Sequence, residues 1–312
     1  ATRLMAVGEF GLIDRFFSGM DAGAAVRLGV GDDAAVLSVP EGHVLHTSVD
    51  TVVEGVHFLP GMPPADIAFR SVMAAASDLA AMGAAPAGML LALTIPCVDE
   101  GWLTAFVDGL KDASEQTGLP LVGGDTTRGP LSVTVTVMGS TPTAAYLKRS
   151  GAREGDRVCV SGTLGDAAAG LAALRGDLSI SDTMVSNALV GRFARPIARL
   201  SLGVSLRAVA SAAIDVSDGL LADAAHIADA SEVAIDIDCH RLPLSDALRA
   251  LPDQDQILRW ALSGGDDYEL LFTLPPDAIL PAGCTEIGRV VAGSGVSCAV
   301  TPQQPGYDHF TD

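Results

Sequence analysis

Lysine is nearly absent. Only Lys111 and Lys148 are lysines among 19 basic side chains; the other 17 are arginines, set against 29 Asp and 9 Glu. The net charge of −19 argues against tracking a polyanion by charge, so nucleic acid and anionic membrane surfaces are not expected partners. Phosphate chemistry would need another source of positive charge, and divalent cations held by Asp are the natural substitute. The five cysteines are odd in number and show no CxxC spacing, which argues against a disulfide framework or a zinc site. Buried, reduced thiols in a cytoplasmic protein are expected instead. The first ten residues show no basic segment followed by an apolar run, so no secretory signal is read, and the start at Ala1 reads as processed. The most apolar stretch, 84–96, holds two prolines and is too short to span a bilayer. There is no G-x-x-x-x-G-K-[ST], no complete G-x-G-x-x-G and no G-x-S-x-G, which disfavours a P-loop enzyme, a nicotinamide dehydrogenase and a serine hydrolase.

What is present is ample apolar material, 49% of 312 residues, enough for about two domains. Strands are expected over 44–50, 89–95, 119–122, 131–138, 157–161, 233–237 and 268–274. Helices are expected over 66–82, 102–117, 165–174, 181–193, 199–210 and 218–230. Gly83 and Gly118 read as C-caps, and Asp99 stands near the start of its helix. The pattern loosens over 141–156, where Pro142, Gly151 and Gly155 cluster, so the domains are set at 1–140 and 141–312. Alternating strands and helices indicate an α/β (α+β) fold.

Six short segments combine glycine or serine with acid: Gly29–Asp33, Ser48–Thr51, Ser77–Leu79, Gly123–Arg128, Asp215–Gly219 and Ser263–Glu269. Most fall at expected strand ends or helix starts, whereas Asp78 falls inside an expected helix. Each alone reads as a turn or a helix cap. Their recurrence points to one shared site, because Asp is a short, hard oxygen ligand suited to Mg²⁺ beside phosphates, and glycine lets the backbone approach a ligand. Asp215 and Asp218, at i and i+3, either cap a helix or hold a cation. His57 is either a ligand contact or a turn histidine. Arg149, beside Lys148, is either a nucleotide contact or a solvated hinge charge.

Together these segments resemble the thiamine-monophosphate kinase family. The match is carried by Gly8–Phe10, Gly31–Asp33, Asp50–Thr51 with Gly55–Phe58, Ser77–Gly83, Gly123–Gly129, Arg149–Gly151, Ile214–Gly219, Ser263–Leu270 and Gly306–Phe310, in the family's order. The resemblance implies a two-domain aminoimidazole ribonucleotide synthetase-like fold. The N-terminal domain would pair with its copy in a homodimer to form a β-barrel-like core, beside a C-terminal α/β domain. It implies ATP-dependent phosphorylation of thiamine monophosphate to thiamine diphosphate, with several Mg²⁺ ions. By position, Asp33, Asp50, Asp78, Asp125 and Asp215 match magnesium ligands, Asp218 a further metal position, and Ser48 and Val49 lie in the same metal-binding segment. Asp50, Asp125 and Asp215 are the expected catalytic carboxylates. Gly124, Asp125, Arg149 and Ser217 match nucleotide contacts, and His57, Asp266 and Tyr307 match substrate contacts.

Two positions depart from the family pattern. Val49 stands where Thr is common, which is harmless if that position meets metal through its carbonyl and removes a ligand if it does so through a hydroxyl. Asp266 stands where Glu is frequent, one methylene shorter. The rivals weigh less. A selenophosphate synthetase would carry a reactive Cys or selenocysteine near its start, yet the first cysteine here is Cys97. An aminoimidazole ribonucleotide synthetase would carry a Lys between Asp50 and His57. A non-catalytic nucleotide-binding scaffold and a metal-dependent phosphohydrolase would be separated from a kinase by product analysis.

Overall fold

The computed structural model describes residues 9–300 and 306–307. By packing, the chain forms two units: 1–76 with 85–143, and 77–84 with 144–312.

The first unit contains α1 (Glu9–Phe17), β1 (Val26–Leu28), β2 (Val36–Leu37), β3 (His43–Val53), most of α2 (Pro64–Ala81), β4 (Ala85–Ile95), α3 (Glu100–Thr117), β5 (Leu121–Arg128) and β6 (Ser132–Pro142). Its main sheet runs β3-β6-β4-β5, antiparallel except for the parallel pair β4–β5. A parallel pair needs a crossover, and α3 supplies it. α3 starts at Glu100, two residues before the expected 102, and stops as expected: Asp99 accepts a hydrogen bond from the Trp102 N–H at 2.9 Å, and Gly118 closes the helix at φ 70°. Strict alternation in β6 buries Val133, Val135 and Val137 on one face.

α2 is buried nearly all round, which is why it is built from alanine. The helix packs tightly enough that a Cβ on Gly109 of α3 would stand 1.9 Å from the Ala65 carbonyl oxygen. Gly83 ends α2 at φ +67°, and the Ala84 N–H reaches back to the Leu79 carbonyl at 2.8 Å.

The second unit contains β7 (Arg157–Ser161), α4 (Asp166–Arg175), α5 (Thr183–Ala194), α6 (Leu200–Leu206), β8 (Ala212–Val216), α7 (Leu220–Ser231), β9 (Ala234–Ile237), α8 (Asp246–Arg249), α9 (Gln254–Ser263), β10 (Glu269–Leu274), β11 (Cys284–Val291) and β12 (Gly295–Cys298). Its sheet order is β12-β9-β11-β7-β10-β8, and only β12–β9 is parallel. A core of Val158, Val160, Ile214, Val216, Ile227 and Leu271 joins this sheet to α7.

All five cysteines are free. Only Cys159 and Cys239 are buried; Cys97 is exposed and the other two are half-buried, so the expectation of uniformly buried thiols is corrected. Burial pushes the Cys159 thiol up to about 12, which keeps it protonated and unreactive. Among the described residues, no helix is long and apolar enough to cross a membrane.

Candidate functional site

In the first unit, a cavity of about 870 Å³ opens between the Gly29–Ala35 loop and the sheet. Its walls combine the apolar Phe17, Leu91 and Met138 with Asp33, Gly124 and Asp125. Asp33 and Asp125 are both exposed, so the structure brings these two expected ligands to one opening. The expected turn at Gly123–Arg128 is in fact strand. Asp125 stands opposite Ala92 in the β4–β5 ladder, and a Cβ on Gly124 would lie 1.9 Å from the Leu91 carbonyl oxygen. Gly124 is therefore needed for strand packing as well as for any approach of a ligand.

Asp50 is likewise a mid-strand residue, opposite Val135 in the β3–β6 ladder, rather than the end of a strand. Pleating puts Ser48 and Asp50 on one face of β3 and Val49 on the other. The Val49 side chain is 58% exposed. Beyond β3, the chain turns through Gly55 at φ +80°. There the His57 Nδ1 accepts from the Val53 N–H at 3.1 Å. That bond leaves the proton of the neutral ring on Nε2, the nitrogen able to donate to an anion.

In the second unit, Asp78 is the one half-exposed residue in the otherwise buried run 67–81 of α2. Asp215 is the penultimate residue of β8, whose five residues, Asp215 among them, are all buried. The chain then passes through Ser217, Asp218 and Gly219 into α7. Gly219 contributes no side-chain cap, so Asp223, in the first turn of α7, caps in its place. Asp223 Oδ2 accepts the N–H groups of Ser217, Asp218 and Gly219 at 3.1, 3.2 and 3.1 Å. Burial, then the charges of Asp215 and Asp218, push the Asp223 carboxyl up to about 8, against the lowering effect of these bonds. All three bonds go to Oδ2, which leaves Oδ1 to carry the proton.

The Ser263–Glu269 segment divides its acids among three tasks. Asp266 is half-buried at φ +70°, its N–H bonded to the Ser217 carbonyl and its Oδ1 accepting from the Tyr268 hydroxyl. Asp267 is buried and caps α4 through the Gly165 N–H at 2.7 Å; burial holds its carboxyl well above the usual range. Glu269 is fully buried and is gripped by Arg199 at 2.5 and 2.6 Å, Arg192 at 3.0 Å and the Ser161 hydroxyl. Arg149 is exposed; its carbonyl accepts from Ser231. Tyr307 is 52% exposed, and its N–H donates to the Asp218 carbonyl at 3.0 Å. The terminal motif and the Asp215–Gly219 loop are thus neighbours, and the part of that motif from 308 onward lies outside the described residues.

Sequence reasoning did not find Asp223, Asp267 or Glu269 as separate structural acids. The usable signal for Asp223 was its place four residues after a glycine at a strand-to-helix junction, where a carboxylate meets free N–H groups. As donors for a hard cation, the candidates fit in type: all are short carboxylates, and two share an exposed opening. Among the described residues, no three acidic, histidine or cysteine side chains converge as a ready-made metal cluster.

Known proteins bear on this arrangement. The family described as AIR synthase related protein, N-terminal domain, matches residues 31–141, and its C-terminal counterpart matches 153–301. The thiamine-monophosphate kinase of Escherichia coli (strain K12) is 46% identical over 98% of this chain and 99% of its own. The crystal structure of thiamine-monophosphate kinase from Stenotrophomonas maltophilia K279a superposes with TM-score 0.85, at 44% identity over 94% of this chain and 96% of the other. A structure described as AaThiL complexed with AMPPCP and TMP superposes with TM-score 0.80, at 35% identity over 99% of both chains. End to end, therefore, in sequence and in fold, the chain belongs to the thiamine-monophosphate kinase family.

Proposed function

We propose that this protein transfers the terminal phosphoryl group of ATP directly to the phosphate of thiamine monophosphate, giving thiamine diphosphate and ADP. The observation that carries this reading is the superposition, over 99% of both chains, on a relative described as complexed with AMPPCP and TMP. The acceptor is a phosphate monoester with a second pKa of about 6, so at neutral pH it is already mostly dianionic and needs no strong general base. The difficulty is repulsion: two unit charges about 4 Å apart repel by ~4 kcal/mol at an effective dielectric of 20.

The chain itself offers little positive charge to offset that repulsion, and Mg²⁺, if held by its carboxylates, would supply the missing charge beside the phosphates. Asp33, Asp50, Asp78, Asp125, Asp215 and Asp218 are the residues proposed to hold it, with Ser48 and the Val49 carbonyl in the same segment. Gly124 and Ser217 would seat the nucleotide, with the Arg149 guanidinium on its phosphates. His57 would donate from Nε2 to the acceptor phosphate. Tyr307 would pack on the thiamine, and Asp266 would orient it. The rate gain would come from positioning and electrostatic stabilisation of an in-line transfer.

A homodimer and a cytoplasmic location belong to the same reading. Support for the dimer is strand β3, eleven residues long and at the edge of its sheet, with Leu45 and Val49 exposed on one face. Long apolar edges of this kind are ordinarily covered.

The test is transfer from ATP made chiral at the γ-phosphorus with oxygen isotopes. Thiamine diphosphate with inverted configuration supports direct transfer. Retention points to a phospho-aspartate intermediate, and absence of thiamine diphosphate overturns the whole reading.

A further inference from the structure

The Ser217–Gly219 loop carries two side chains proposed to meet nucleotide and metal, and its backbone N–H groups are held by Asp223. One oxygen, Oδ2, gathers three successive N–H groups at 3.1–3.2 Å from a side chain only 2% exposed. Other segments are then built on this loop. The Asp266 N–H donates to the Ser217 carbonyl at 2.8 Å, and the Tyr307 N–H donates to the Asp218 carbonyl at 3.0 Å. The fits are tight: a Cβ on Gly265 would stand 2.4 Å from the Ser217 oxygen, and one on Gly306 would stand 2.7 Å from the Asp218 oxygen. A shift of the loop would therefore carry the segments of Asp266 and Tyr307 with it.

We infer that Asp223 is a positioning residue, whose carboxyl sets the backbone of Ser217–Gly219 and through it the places of Ser217, Asp218, Asp266 and Tyr307. It touches no reacting group itself. The inference rests on the assignment of Ser217 and Asp218 to the nucleotide and metal, and it deepens that assignment. Positioning by a buried hydrogen-bonded group matters because small misplacements in such sites cost large factors in affinity and rate.

The test compares the full chain with Asp223→Ala, Asp223→Asn and Glu286→Gln. Glu286 binds Arg157, Arg241 and Arg289, so its loss loosens this unit at a place remote in sequence from the loop. Titration calorimetry measures ATP binding at fixed Mg²⁺, at a temperature where circular dichroism shows each variant folded. Asp223→Ala is expected to weaken ATP binding about tenfold and to raise the Mg²⁺ concentration needed for half-saturation. Asp223→Asn, which keeps one carbonyl oxygen for the three donors, is expected to recover most of both. Glu286→Gln is expected to lower the melting temperature and leave both unchanged. Should Asp223→Ala fail to fold, Asp223→Glu carries the same test, because its longer stem displaces the acceptor oxygen.

Wild-type affinity in a folded Asp223→Ala or Asp223→Glu overturns the inference. So does an equal loss of affinity in Glu286→Gln, which would mark general loosening. Because binding is read without turnover, a wild-type chain that binds ATP but makes no thiamine diphosphate defeats the kinase reading alone. Unchanged affinity across the Asp223 variants of an active enzyme defeats the positioning role alone.

Discussion

Asp223 shows at the residue scale how burial decides a charge state. Burial, then the charges of Asp215 and Asp218, push its folded carboxyl up to about 8, against about 4 for an exposed Asp. The folded state therefore prefers the protonated group. Its contribution to stability is complete below about pH 4 and is lost as pH rises through about 8. Asp223→Asn removes that titration. Urea midpoints in metal-free buffer should show the parent losing stability relative to Asp223→Asn between pH 5 and 9; a difference that stays constant over that range would refute the assignment. Glu269 presents the complementary case, an ionic group buried with two arginines. Removing one member of such a cluster leaves charges uncompensated, so Glu269→Ala should cost about 3–5 kcal/mol by denaturant titration. A cost under about 1 kcal/mol would show that the cluster relaxes into solvent. For the proposed metal ligands the opposite signature is expected. Asp50→Ala and Asp125→Ala should abolish kinase activity with the melting temperature little changed, and full activity in either purified variant would remove it from the site. Tyr307→Ala should weaken thiamine phosphate binding more than ATP binding, and equal losses would deny it a role at the thiamine.

At the scale of elements, the long periodic segments were legible, whereas several short or bulged ones were not. α3 carried its cap, its apolar stripe and its terminal glycine in the sequence, and it forms where expected. The alternation of β6 was equally plain. β1 and β2, three and two residues long, are too short to show a period. β11 breaks its alternation at a bulge between Glu286 and Gly288, and a Cβ at Gly288 would stand 2.1 Å from the Asp236 oxygen. β5 was cut short at Val122 because Gly123-Gly124 looks like a turn. The strand runs on to Arg128 because pairing with β4 overrides local propensity, and only glycine fits against Leu91. α6 ends at Leu206, short of the expected Ala210. The same close packing makes Gly109 sensitive. Gly109→Val should destabilise by about 1–3 kcal/mol through overpacking against α2, read from the urea midpoint, and a neutral result would mean the helices separate freely.

For the whole molecule, the proposed metal site would account for the imbalance of charge. A surplus of Asp over Glu and a near lack of lysine would be odd for an enzyme that grips phosphates directly. It suits one in which carboxylates hold the metal ions that do the gripping. The sequence pointed to the family because its motifs extend from near the first residue to near the last. It could not separate the acids that meet ligands from those that hold loops, since Asp266, Asp267 and Glu269 stand within four positions of one another and differ only in what they pack against. The kinase reading can be decided by a ³¹P NMR time course of the purified protein with ATP and thiamine monophosphate, repeated over a range of Mg²⁺ concentrations. Thiamine diphosphate and ADP are expected in equal amounts, appearing only with Mg²⁺. Inorganic phosphate in place of thiamine diphosphate, or ATP left intact at every Mg²⁺ concentration, would contradict that reading.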